Sequence, residues 1–145
     1  MAITTAMCNS FKEELLGGVH DLDTDTLKIA LIKASPTGTY GSATTNYSDV
    51  TGNSDEATGT NYTAGGQPLD SPVITLTSGT AYVDFADEVF SNLTISADGA
   101  IIYNSSQSNK AIAVFDFGST VTATSGDFTI VFPTNDQNNA VIRIS

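Results

Sequence analysis

From Val73 onward the apolar residues come in short runs, each broken after about ten residues by Gly, Asp, Asn or Ser. VITLT at Val73–Thr77 stops at Ser78-Gly79. TAYVDFA at 80–86 alternates, with Tyr82 and Asp84 opposite Ala81, Val83 and Phe85. Residues 93–96 run to Asp98-Gly99, a strong two-residue hairpin signal. AIIYN at 100–104 leads into a polar turn at 105–109, and AIAVFDF at 111–117 follows. Ser125-Gly126 precedes residues 127–133, and AVIRI at 140–144 closes the series. Seven to nine short strands at this spacing predict an all-β fold, an antiparallel β-sandwich of jelly-roll-like kind. No helical segment separates the strands, which excludes a parallel βαβ sheet.

The remainder of the 145 residues adds one helix, one strand and one long connection, all within a single domain. Residues 1–20 hold the only helical signal. Ser10 and Glu13 have capping-box spacing, Phe11 and Leu15 share a face beside Leu16, and Gly17-Gly18 supplies a stop. A helix of two turns cannot persist alone. Its apolar residues must be buried in the core or at a subunit interface, so Ile3, Met7, Phe11, Leu15 and Leu16 are interface candidates. LKIALIKA at 27–34 reads as a strand, with Leu27, Ile29 and Leu31 on one face. Residues 36–66 contain no Leu, Ile or Phe and read as a long surface excursion with one short hairpin. Tyr40, Tyr47, Val50 and Tyr62 are its only anchors. The three tyrosines also join the interface candidates, since exposed aromatics could form a binding platform.

Sixteen acids against five Lys and Arg give a formal charge of −11. Five scattered cations cannot form the continuous track that binds a phosphate backbone, so no nucleic-acid partner is expected. The same charge repels anionic membranes, and no run approaches the ~18 apolar residues of a membrane span. The first residues lack the basic and apolar blocks of a signal peptide, which predicts synthesis and folding in a cytoplasm. Cys8 is the only cysteine and reads as a small buried residue, so neither an intrachain disulfide nor a cysteine zinc cluster is expected.

Chemistry is sparsely signalled. His20 is the only histidine and no serine sits in a nucleophile-elbow context, so a turn histidine is the simpler reading. Asp84, Asp87, Glu88 and Asp116 could supply a glycosidase pair, but there is no Trp for a sugar platform, and turn capping accounts for them as well. Asp21, Asp23 and Asp25 alternate like the first ligands of a calcium loop. The pattern then fails, with Thr26 where glycine is needed and Ile32 at the twelfth position, leaving a solvated acidic turn as the favoured reading. No phosphate-binding glycine motif occurs, and no cofactor is expected. Asn-x-Ser/Thr matches at Asn46, Asn61, Asn92 and Asn104 are expected by chance in a chain where Thr, Ser, Asn and Gly make up 58 of 145 residues.

Several stretches together resemble a family of small structural proteins encoded in tailed-bacteriophage virion gene clusters. They are DTDTLKIAL at 23–31, GTNYTAGGQPL at 59–69, AYVDFADEVFSNLTISADGAIIYN at 81–104, KAIAVFDFGSTVTATSGDFTIVFP at 110–133 and AVIRIS at 140–145. They cover about three quarters of the chain, and their order and spacing carry the resemblance rather than any one motif. Relatives often carry Trp near 88–92, where this chain has Val89 and Phe90, so an aromatic core plug is kept at Phe90. The resemblance implies a virion component assembled in the host cytoplasm, not an enzyme. A capsid decoration (cement) protein on the major capsid lattice comes first, and a tail, collar or fibre-base component second. The residues also leave a carbohydrate-binding β-sandwich open. Lattice three-fold positions imply a homotrimer held partly by residues 1–19.

Overall fold

The computed structural model describes residues 2–145. In chain order it contains β1 (Ala6–Met7), α1 (Asn9–Leu16), β2 (Leu27–Lys33), α2 (Ser48–Gly52), β3 (Gln67–Pro68), β4 (Val73–Thr77), β5 (Thr80–Asp84), β6 (Glu88–Asn104), β7 (Lys110–Ile130) and β8 (Ile142–Ile144). All strand pairs are antiparallel and form two sheets, one of order β1-β7-β6-β2-β3 and one of order β4-β5-β8. The fold is therefore all-β with one short N-terminal helix, as the strand spacing predicts. A single buried cluster running from Ile3 to Ile142 joins both sheets.

The strands at 93–96 and 100–104 are not a hairpin about Asp98-Gly99. They are one 17-residue strand, β6, and the polar turn at 105–109 connects it to the 21-residue β7. The pairing of β6 with β7 shifts register at four places, so the turn-forming dipeptides mark bulges rather than reversals. Asp98 drops out of register there, and its carboxylate accepts hydrogen bonds from the Ser35 N–H at 2.8 Å and the Thr120 hydroxyl at 2.5 Å. Gly99 serves close packing. A Cβ on it would sit 2.3 Å from the Phe115 carbonyl oxygen and 2.8 Å from Ile3 Cδ1. Ser125-Gly126 likewise lies inside β7, with Ser125 at φ +47°.

The capping box does not form. The helix begins at Asn9 because backbone bonds from other elements hold its entry: Cys8 N–H donates to Ile112 at 2.9 Å and Asn9 N–H to Ser42 at 2.8 Å. The Ser10 hydroxyl is buried without a partner instead. Gly17 and Gly18 end the helix as expected, with Gly18 at φ +74°. Ile3 and Phe11 are core residues, not interface residues. Cys8 is fully buried, and burial pushes its thiol pKa up to about 12.

The middle of the large sheet is covered on both faces, and Ile29, Ala30, Leu31 and Ile32 are therefore all buried. Successive strand residues point to opposite faces. Asn104 accordingly meets His20 beside α1, while Tyr103 meets the 36–66 segment on the other side. The small sheet has no such double cover.

Candidate interaction face

The 36–66 segment contains the helical turn α2 and no hairpin. Two consecutive carboxylates fasten it. Asp55 is buried and accepts from Thr37 N–H at 2.9 Å, Gly38 N–H at 2.7 Å and the Tyr40 hydroxyl at 2.5 Å, with Lys33 Nζ 3.0 Å away. Burial would raise its pKa, but the bonds from Thr37, Tyr40, Gly38 and Lys33 outweigh that and hold the carboxyl well below its usual range. Glu56 accepts from the Tyr47 hydroxyl at 2.5 Å, the Tyr62 hydroxyl at 3.0 Å and Gly65 N–H at 2.6 Å. Tyr47 stacks on Tyr103 with ring centroids 4.4 Å apart, and Tyr62 lies 5.8 Å from Phe90. Burial, the largest cause, pushes the Tyr40 and Tyr103 hydroxyls up to about 12 and those of Tyr47 and Tyr62 higher still. All three tyrosines are thus anchors with engaged rings and hydroxyls, and none presents a sugar platform.

The acidic turn is occupied with its own backbone. Asp21 Oδ1 accepts from Asp23 and Thr24 N–H, and Asp25 Oδ2 from Asp21 N–H and Asn104 Nδ2. The Thr24 and Asn104 bonds respectively lead the lowering of the Asp21 and Asp25 pKa values. Among the described residues no three His, Cys, Asp or Glu side chains converge as a metal site. His20 is buried with both ring nitrogens engaged, Nε2 at 2.7 Å from Glu14 Oε2 and Nδ1 at 3.0 Å from Asn104 Nδ2. The latter nitrogen accepts, which leaves no free base. Asp87 accepts from Phe132 N–H, Asp116 from Gly118 N–H and Glu88 from Gln67 Nε2, so these acids tie loops.

The remaining feature is apolar and open. Cross-strand register aligns Ile74, Val83 and Ile142 in one row and Leu76, Ala81 and Ile144 in the next, all on one face of the small sheet. Val83 and Ile142 are buried, yet Ile74, Leu76 and Ile144 are 55%, 72% and 49% exposed. Opposite them stands α1, where Leu15 is half-buried and Leu16 is 92% exposed. A groove of about 400 Å³ lies between Leu15, Leu22, Ile74, Val83 and Ile142. A second, of about 290 Å³, continues it past Leu15 and Ile144 to Met7, Leu16, Lys12 and Arg143. Lys33 and Lys110 are spent on Asp55 and Glu14, whereas Lys12 and Arg143 have no ion pair among the described residues. The trough therefore ends in free positive charge on an acidic molecule.

Of the sequence-selected interface residues, the fold gathers Met7, Leu15 and Leu16 at this trough and places Ile3, Phe11, Tyr40, Tyr47 and Tyr62 in core or anchoring positions. Ile74, Leu76 and Ile144 look like ordinary core-strand residues in the sequence. No helix among the described residues is long and apolar enough to cross a membrane. Compared with protein-family models, with curated proteins and with solved structures, the chain has no match.

Proposed function

We propose that this chain is a structural protein of a tailed-phage virion, a decoration protein that docks on the major capsid lattice through the trough between α1 and the small sheet. The observation that carries the reading is that Ile74, Leu76, Ile144 and Leu16, four of the eight large apolar side chains exposed among the described residues, gather at this one face. Apolar area of this kind gains about 25 cal/mol per Å² when a partner covers it. Lys12 and Arg143 at its end favour a capsid-protein segment that is apolar with an acidic flank. His20, the carboxylates of Asp55, Glu56, Asp87, Glu88 and Asp116, and Tyr40, Tyr47 and Tyr62 are engaged in holding the fold, which supports a docking role over catalysis; of the candidate acids only Asp84 keeps a buried oxygen without a partner. The order and spacing of the strand motifs supply the virion context.

The test uses the full chain and particles from which this gene product is missing. Added protein should co-sediment with capsids and saturate at a simple multiple of the capsid's symmetry positions. Arg143→Glu combined with Leu16→Asp should abolish this while leaving the melting temperature unchanged. Binding to isolated tails but not to capsids would replace decoration with the tail or collar role. Binding to neither would overturn the proposal.

A further inference from the structure

β4 is an edge strand of the small sheet, and among the described residues nothing pairs with its outer side. Natural sheets blunt such edges with short strands, charges, proline or bulges. The other edges here follow that practice: β1 and β3 have two residues each, β3 includes Pro68, and β8 has three residues with Arg143 at its centre. β4 instead has five residues, no charge, no proline and an unbroken register with β5.

The direction of its free backbone groups follows from the turn. Ser78 and Gly79 both have positive φ, +50° and +83°, which is the two-residue type I′ hairpin. The flanking pair Thr77 and Thr80 then exchanges both hydrogen bonds, so Val73, Thr75 and Thr77 face β5. Ile74 and Leu76 turn their N–H and C=O groups outward. The side-chain sequence Val-Ile-Thr-Leu-Thr is nearly symmetric about Thr75.

We propose that β4 pairs with β4 of a second copy of this chain, antiparallel about a two-fold axis at Thr75. Ile74 of one copy stands opposite Leu76 of the other, and the two Thr75 residues face each other. The four outward groups of each strand then make four backbone hydrogen bonds, and the two small sheets become one of six strands. The exposed Ile74 and Leu76 become cross-strand neighbours, the arrangement that stabilises paired strands. A second copy fits better than an unrelated strand because this pattern is complementary to itself, and the isologous contact closes with both β4 edges paired, leaving only the short, charged β8 at either end. β4 carries no charge of its own, so two molecules of charge −11 can pair there without setting a carboxylate of one strand against a carboxylate of the other. The result is a dimer in place of the trimer that the family resemblance implies, and it stands whether or not the chain belongs to a virion.

The experiment is the mass in solution of the full chain by light scattering, with far-ultraviolet circular dichroism as the folding control. Wild type should have twice the monomer mass. Thr75→Lys places two lysines against each other at the axis, and the mass should halve with the spectrum unchanged. Ile74→Lys with Leu76→Lys, which sets lysine opposite lysine, should do the same and covers the case in which Thr75→Lys fails to fold. Ile74→Lys with Leu76→Glu sets opposite charges across the axis and should keep the dimer. A monomeric wild type, a trimer, or a mass unaffected by both lysine variants would overturn the proposal.

Discussion

The 36–66 segment and the small sheet reverse what their side chains suggest. The first has almost no aliphatic residues, yet Tyr40, Val50, Asp55 and Ala57 in it are buried and bridges tie it to Ile32, Thr94 and Lys110. The second is rich in aliphatic residues, yet Ile74, Leu76 and Ile144 lie open. The difference teaches that apolar content does not decide what is structural in this molecule. Directional bonds to two carboxylates replace aliphatic packing in the segment, because a buried ion that receives several good donors can stay charged. The small sheet's face is only partly covered within the chain: Val83 and Ile142 are buried beside α1, while Ile74, Leu76 and Ile144 stay open.

The sharpest way to break this comparison is to remove the first hub. Asp55→Ala removes a buried carboxylate from the Tyr40 hydroxyl, the Thr37 and Gly38 N–H groups and Lys33, and should cost about 3–5 kcal/mol, the range for breaking one side of a buried pair. Equilibrium urea unfolding checks it, and a cost below about 1 kcal/mol would return the segment to a loose excursion. Glu56→Gln keeps the size but loses the charge-assisted bonds from Tyr47, Tyr62 and Gly65, and should cost about 1–3 kcal/mol.

Both pH limits should come from this segment and from Tyr103, the β6 residue it packs on. The folded pKa of Asp55 is lowered, so its contribution is complete above the unfolded value of about 3.9 and is lost as pH falls below it. Tyr40 and Tyr103 have folded values raised to about 12, so their contribution is complete below about 10 and is lost as pH rises from there towards 12. Melting temperature against pH should therefore fall at both ends, and Tyr40→Phe should weaken the alkaline fall. Substitutions on the other side of the comparison should do far less to the fold. Leu16→Gln and Ile144→Thr are expected to change stability by no more than about 0.5 kcal/mol while reducing particle binding. Calcium chelation should do least and leave the melting temperature where it is, since Asp21 and Asp25 already satisfy their own turn.

Much of the fold was legible in the sequence because alternation and turn chemistry are local. β2, β4, β5 and β8 fall where period-2 patterns place them. The unbroken runs of β6 and β7 were not, because Asp98-Gly99 and Ser125-Gly126 write a bulge with the same letters as a hairpin, and only the partner strand decides between them. The candidate interaction face was half legible. Leu15 and Leu16 stood out on a helix too short to persist alone, but a strand such as VITLT reads the same whether or not another layer covers it. Asp55 and Glu56 were invisible as hubs, since their donors come from Thr37, Tyr40, Tyr47 and Tyr62, brought in by the path of the chain.

Amide hydrogen exchange of the full chain, free and bound to particles, tests the division between locked segment and open face most directly. The account predicts that peptides from α1 and the 142–145 end slow on binding, while those from 36–66, slow already in the free protein, do not change. New protection confined to 36–66, or fast exchange there in the free chain, would contradict it.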